Sequence, residues 1–278
     1  MLTNSFTIKG KTRVLLSQCK TVLFELLNIK KRITLHRIWS KISPEKKKFA
    51  IVIADGPSFN KDIAKQIVSK RKFFDIVVMN NYCLNSFSKY LIPDYYLLSD
   101  PENFKTNNYS AKKKNKTLKK YILNPSIKLV APYGSRHEIY KKPYLQFNDS
   151  ENLKTNNINP RYSRGYRSNT GFKAIAFMLS LNYKKIFIIG FDYDYPRKIF
   201  LNNKNKLYLK DEHNYGTKKI DCSDLFDSVA HAMHWWAQDY WHLKKLASPK
   251  IKNVTNNSLL DVFDRMSLKN FSKYIKGI

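Results

Sequence analysis

Six short apolar runs punctuate the chain from residue 49 onward, at 49–54, 74–79, 94–98, 128–131, 185–190 and 251–255. Each is five or so residues long, apolar on both alternating faces, and stopped by small or polar residues. That pattern predicts strands buried on both sides, as in a parallel sheet. Apolar positions recur at helical spacing over 61–72, 171–181 and 225–246, and a short closing helix is predicted over 258–265. Strands alternating with helices give an α/β class: a Rossmann-like, mostly parallel sheet with helices on both faces. In such sheets ligands bind outside the carboxyl ends of the strands. Those ends carry Asp55-Gly56-Pro57-Ser58, Asn80-Asn81, Ser99-Asp100 and Asp192-Tyr193-Asp194.

The remaining segments read as appendages to this domain. Residues 103–120, with the run Ala111-Lys112-Lys113-Lys114, are expected to be an exposed loop. Residues 149–168 and 193–222 are long, polar and rich in Tyr, Arg and Asn, as lids over a site are. Over 12–42, Val14, Leu15, Val22, Leu23, Leu26 and Leu27 alternate with Lys20, Lys30, Lys31, Arg32, Arg37 and Lys41. This is either an amphipathic helix on anionic lipid or a helix packed on the domain with a solvated face. The chain thus divides into a basic segment 1–47, an α/β domain 48–265 and a basic tail 266–278.

Charge sharpens the choice of partner. Among 278 residues, 51 Lys and Arg face 21 Asp and Glu, a net +30. An anionic partner follows, unless a general Lys/Asn bias accounts for it. No zinc-finger, helix-turn-helix or RNA-binding motif supports nucleic acid. The basic residues gather at the two ends, which favours an anionic membrane surface. Cys19, Cys83 and Cys222 lack metal or disulfide spacing, and no apolar run reaches the ~18 residues that span a bilayer. The expected location is the cytoplasm, peripheral on the inner face of the plasma membrane.

Several of these segments together resemble one family. Ala54-Asp55-Gly56-Pro57-Ser58, Asp75 through Asn80, Asp100-Pro101, Arg167 through Gly171, Leu181 through Tyr193 and Asn257 through Leu260 resemble the bacterial lipooligosaccharide sialyltransferases, glycosyltransferase family 42. The likeness covers 49–260 in patches. Asp55 and Asp100 stand where that family has Asn, and Thr170 where it has Ser, so a relative with a different donor sugar, or a neighbouring family that reuses the Gly-Pro-Ser turn, would also fit. The resemblance implies a GT-A-type fold and an inverting transfer of a sialic acid-type (nonulosonic acid) sugar from a CMP-activated donor. The acceptor would be a glycan of lipooligosaccharide, O-antigen or capsule, and no metal or other cofactor is implied. A homo-oligomer is left open.

The resemblance also implies site residues. Arg167, with Arg161 and Arg164 on the same loop, would contact the donor phosphate or carboxylate, since a guanidinium suits both. Tyr193 and Tyr195 would hold the leaving phosphate, or else simply pack. Asn80 would contact the donor, and Gly56 with Ser58 would let the backbone approach the nucleotide. Asp55, Asp100, Thr170, Gly171, Asp192 and Tyr215 complete the donor set. A histidine suits the general base near neutral pH. His213, in Asp211-Glu212-His213-Asn214-Tyr215, falls where the family's His-Tyr motif does, and His231 is the alternative. His36, His137 and His242 lie elsewhere, and His231 with His234 lacks a third ligand for a metal. Two rivals remain: a metal-dependent transferase using a nucleotide-diphosphate sugar through Asp192 and Asp194, and a non-enzymatic basic protein binding anionic lipid or nucleic acid.

Overall fold

The computed structural model describes residues 47–99, 109–132, 145–147, 170–214, 216–221 and 246–278, with isolated positions at 29, 33, 37, 233, 236, 237, 240, 243 and 244. The apolar runs form strands β1 (Phe49–Ile53), β2 (Phe74–Met79), β3 (Tyr95–Leu97), β4 (Lys128–Pro132), β6 (Lys185–Ile189) and β10 (Ile251–Asn253). They are joined in one sheet by β5 (Leu145–Phe147) and β11 (Asp264–Arg265). The order is β11-β10-β6-β1-β2-β3-β4-β5, and every pairing is parallel.

Alternation along the strands explains why both faces are covered. Ala50, Val52, Val77, Ile186 and Ile188 point to one core, against Phe172, Ile175 and Phe177 of α3 (Thr170–Ser180). Ile51, Ile53, Ile76, Val78, Phe187 and Ile189 point to the other, against Ile63 and Ile67 of α1 (Lys61–Ser69). The chain is an α/β protein with a Rossmann-like parallel sheet, as its hydrophobic pattern predicts. Asn60 starts α1 by accepting from the backbone N–H groups of Asp62 and Ile63, both at 3.1 Å. Met233, Trp236, Ala237, Tyr240, Leu243 and Lys244 are helical, in line with the predicted helix over 225–246.

Three expectations are corrected. The predicted loop over 103–120 is, where described, helix α2 (Tyr109–Ile122). Lysine favours helix, and Leu118 and Ile122, one turn apart, are fully buried. The predicted helix over 258–265 is irregular and ends in β11. There Ser258 diverts the local hydrogen bonds: its hydroxyl donates to the Phe191 carbonyl at 2.5 Å and accepts from the Leu260 N–H at 3.1 Å. The basic tail 266–278 belongs to the domain, because its helix α5 (Leu268–Lys276) buries Phe271 and Ile275 in the core. Ser272 of α5 also donates to Gln66 of α1 at 2.6 Å.

At the other boundary Lys47 is already part of the domain, bridging Asp75 at 2.9 Å and Asp94 at 3.3 Å. Of the segment 1–47, Ile29, Ile33 and Arg37 are helical and exposed, and 1–28 lies outside the described residues. The lid 149–168 lies outside them too. Where described, the lid 193–222 is regular: α4 (Tyr195–Lys198), then an antiparallel sheet of β7 (Ile199–Leu201), β8 (Leu207–His213) and β9 (Gly216–Asp221). Among the described residues no helix is long and apolar enough to cross a membrane.

Candidate functional site

From β1 the chain works outward through β2 to β5 on one side, then returns to place β6 and β10 on the other. The crevice between β1 and β6 is therefore the topological switch point of the sheet, where such folds bind ligands. A cavity of about 380 Å³ opens there. Its walls come from Ala54–Gly56 after β1, Met79–Asn81 after β2, Thr170 and Gly171 at the start of α3, Gly190–Tyr195 and Lys198 after β6, and Asp211–His213 of β8.

The turns after β1 and β6 touch. A Cβ on Gly56 would lie 1.9 Å from Asp192 Oδ2 and 2.4 Å from the Gly190 carbonyl oxygen, so only glycine fits. Gly190 has φ +77°, and a Cβ there would lie 2.4 Å from the Ala54 oxygen. The space at Gly56, expected to admit nucleotide backbone contacts, is thus taken by the Asp192 carboxylate. Ser58 lies behind the wall and donates its hydroxyl to Asp192 Oδ2 at 2.8 Å. It positions Asp192 within the protein. Burial pushes the Asp192 carboxyl above its ordinary range; the bonds from Ser58 pull the other way, Asp194 adds to the rise and Lys198 opposes it.

Asn80 stands at φ +40°, in the left-handed region that asparagine tolerates. Its amide donates to Thr170 Oγ1 at 2.9 Å and accepts from the Ser99 N–H at 3.3 Å, and Thr170 Oγ1 lies 2.6 Å from Ser99 Oγ. This network ties the ends of β2 and β3 to the first residue of α3. Asp55 accepts from Asn85 Nδ2 at 2.9 Å.

Tyr193 has φ +49°, strained for a bulky residue. Its ring is buried, stacked 6.0 Å from Trp236, and its hydroxyl donates to the Trp236 carbonyl at 3.3 Å. Packing is what this tyrosine does here. Tyr195 differs: its ring is 42% exposed at the cavity edge.

The lid contributes a charged wall. Lys198 Nζ lies 2.9 Å from Asp194 and 3.2 Å from Glu212, which also pairs with Lys210 at 2.5 Å. Burial alone would lower the Lys198 ammonium, but the bonds to Asp194 and Glu212 outweigh it and hold it raised. Glu212 is lowered, first by Lys210 and then by Lys198. His213 Nε2 lies 3.0 Å from Asp211 Oδ2, two residues away on the same face of β8. Asn214 latches this hairpin to the turn after β1: its backbone N–H donates to the Asp55 carbonyl and its side chain to the Gly56 carbonyl, both at 2.8 Å.

Of the expected residues, Asp55, Gly56, Asn80, Thr170, Gly171, Asp192, Tyr193, Tyr195 and His213 line one cavity. Asp100, Arg161, Arg164, Arg167, Tyr215, His231 and His234 lie outside the described residues. Lys198, Asp211, Glu212 and Asn214 were not anticipated as site residues. Asp211-x-His213 on a strand and Asp194-x-x-x-Lys198 on a helical turn are signals the sequence carries for two of these pairs. No cluster of three or more His, Cys, Asp or Glu able to hold a metal occurs among the described residues. Asp192 accepts from Ser58 and Asp194 pairs with Lys198.

No family model matches the chain, and no curated protein matches it. Among solved structures the chain is similar to the MAf glycosyltransferase from Magnetospirillum magneticum AMB-1, at 13% identity and a TM-score of 0.47. The match covers 89% of this chain and 40% of that one, so the chain spans less than half the length of that protein.

Proposed function

We propose that the chain is an inverting glycosyltransferase that moves a sialic acid-type sugar from a CMP-activated donor to a surface glycan, with His213 as general base and no metal. The observation that carries this reading is the Asp211–His213 pair in the wall of a cavity at the sheet's switch point. A carboxylate on one ring nitrogen fixes the orientation and tautomer of the imidazole. Nδ1 then takes the proton of the acceptor hydroxyl. That oxygen attacks the anomeric carbon from the face opposite the phosphate, the bond to the phosphate oxygen breaks, and CMP leaves with the electron pair. The anomeric centre is inverted in one displacement.

A departing monophosphate develops less charge than a diphosphate, so a few fixed donors suffice. Lys198 is the described cation on the wall; two of its three N–H donors serve Asp194 and Glu212, which leaves one for the phosphate. The amino end of α3, at Thr170 and Gly171, adds its dipole. Arg167, three residues earlier, would supply a guanidinium for the phosphate or the sugar carboxylate. Tyr195 and Asn80 would border the donor. Asp100 and Tyr215 remain proposed donor contacts, and His231 the alternative base. The enzyme would work on the cytoplasmic face of an anionic membrane.

A second reading is favoured by one feature: Asp55, Asp192, Asp194, Asp211 and Glu212 all reach the same cavity. Its charge would favour a divalent cation carrying a nucleotide-diphosphate sugar through Asp192 and Asp194, provided that the carboxylates draw together around it on binding. Thermal unfolding with CMP, UDP, GDP and ADP, with and without Mn²⁺, separates the two. A tenfold excess of CMP over its Kd should add about 1.4 kcal/mol of stability. Stabilisation by UDP or GDP that requires Mn²⁺, with none by CMP, would select the second reading.

A further inference from the structure

The hairpin β7–β8 ends in a turn whose shape is fixed and whose side chains are outward. Asn202 Oδ1 accepts the backbone N–H groups of Lys204 and Lys206, both at 2.9 Å, and Asn205 takes a left-handed φ of +54°. Lys204 and Lys206 are held exposed by this turn. Beside them Leu201 is 62% exposed and Phe200 39%. Phe200 stacks on Tyr208 at 6.0 Å, and the Lys219 ammonium lies 4.1 Å from the Tyr208 ring centre and 5.4 Å from that of Phe200. Two large apolar side chains on a rigid tip, ringed by lysines, combine the features that hold a protein in the headgroup region of a bilayer.

We propose that this hairpin tip docks the protein on an anionic lipid surface. The hairpin enters edge-on, with Leu201 on one face and Phe200 on the other reaching the boundary between headgroups and acyl chains, while Lys204, Lys206 and Lys219 meet lipid phosphates. The net charge of +30 brings the protein to such a surface, and the tip decides its orientation. The carboxy-terminal helix is a poorer anchor than its lysines suggest, because Phe271 and Ile275 already face the core. The tip also sits on the strand that carries the candidate base. Leu201 pairs with Leu207 at one end of β8, and His213 closes the other end. Six strand residues span about 20 Å, so a docked tip keeps the cavity within about that distance of the bilayer. On the glycosyltransferase reading, on which this last step alone rests, the acceptor is a glycan carried on a membrane lipid.

The test is sedimentation of the full chain with vesicles of phosphatidylcholine, with and without phosphatidylglycerol. Phe200→Ser/Leu201→Ser and Lys204→Glu/Lys206→Glu are compared with the parent, with the CMP-induced thermal shift as control. The parent should bind only the vesicles containing phosphatidylglycerol, and less as salt rises. Each double variant should bind at least about tenfold more weakly, since each basic residue near such a surface contributes measurably, and should keep the parent's response to CMP. Parent-like binding by both variants, equal binding to neutral vesicles, or a concentration-dependent dimer in place of vesicle binding would each overturn the proposal. If CMP fails to shift the parent while tip-dependent vesicle binding holds, the glycosyltransferase reading falls and the docking surface stands.

Discussion

The two ends of the same sheet treat charge in opposite ways. At the amino ends of the strands, Lys47 bridges Asp75 and Asp94, and Arg71 pairs with Asp94 at 2.6 Å. Tyr183 donates to Asp75 at 2.8 Å and the Ile76 N–H to Asp94 at 2.7 Å. Two cations face two carboxylates, and each carboxylate has further donors. At the carboxyl ends, five carboxylates line the cavity with Lys198 and His213. There Asp192 is pushed up by burial, and Asn80 and Tyr193 hold left-handed backbone. The balanced end holds strands together. The other end keeps excess charge and strain, which persist only where the surrounding structure enforces them and which mark functional sites.

The largest effect should come from breaking the balanced end. Asp75 is 3% exposed, and Asp75→Ala would leave Lys47 and the Tyr183 hydroxyl without it. Lys47 keeps Asp94, so the loss comes mainly from the buried Tyr183 hydroxyl, which loses this acceptor, and from the weakened ion pair, about 2 kcal/mol. Chemical denaturation should register that loss, with the CMP response of the surviving folded protein unchanged. A loss under about 1 kcal/mol would mean the network is not stabilising, as exposed pairs are not.

At the cavity end the corresponding change should strike turnover and not stability. His213→Ala should lower kcat by on the order of 10²-fold or more while CMP binding persists. Asp211→Asn should lower kcat less, because it weakens the contact that orients the ring without removing the ring itself. His231→Ala is the contrasting variant. If it abolishes turnover and His213→Ala does not, His231 is the base.

Lys198→Ala is next in size. It should weaken CMP binding about tenfold, the scale of one charge-assisted hydrogen bond, and Lys198→Arg should recover part of it. Tighter CMP binding in Lys198→Ala would show that the ammonium only tethers α4 to β8.

Much of this contrast was legible beforehand, and for a definite reason. Strands such as Phe74–Met79 are buried along their whole length, so their apolar runs could belong only to a two-sided sheet, and the sheet fixes where polar strand ends collect. What escaped depends on distance in sequence or on competing local preferences. Ser58 and Gly56 read as nucleotide contacts because nothing local reveals that Asp192, 134 residues later than Ser58, fills their space. The helix at Tyr109–Ile122 was hidden by a lysine run in which, among the residues whose burial is described, the core signal comes late, at Leu118, Tyr121 and Ile122. The 258–265 helix failed because Ser258 spends its hydroxyl on Phe191.

The smallest expected effect tests the cavity end directly. The Asp192 carboxyl is raised above its ordinary value of 3.8, with burial the main cause. The folded state therefore binds this proton more tightly than the unfolded state. Between the unfolded and the raised folded value, the folded chain carries more protons, so stability falls as pH rises through that window. Above it the penalty of a buried, ionised carboxylate is present in full; below it the penalty vanishes. Asp192→Asn removes the titration while its amide oxygen can still accept from Ser58. The variant should gain stability relative to the parent as pH climbs from about 4, and the gain should level off once the parent's carboxyl is ionised. Other carboxylates titrate alike in both proteins and cancel in the difference. Urea denaturation of the pair across this range measures it. A difference that is flat with pH, or one that favours the parent more strongly at neutral pH, would mean that Ser58 and Lys198 stabilise the carboxylate enough to offset its burial, and the cavity end would then be as balanced as the other.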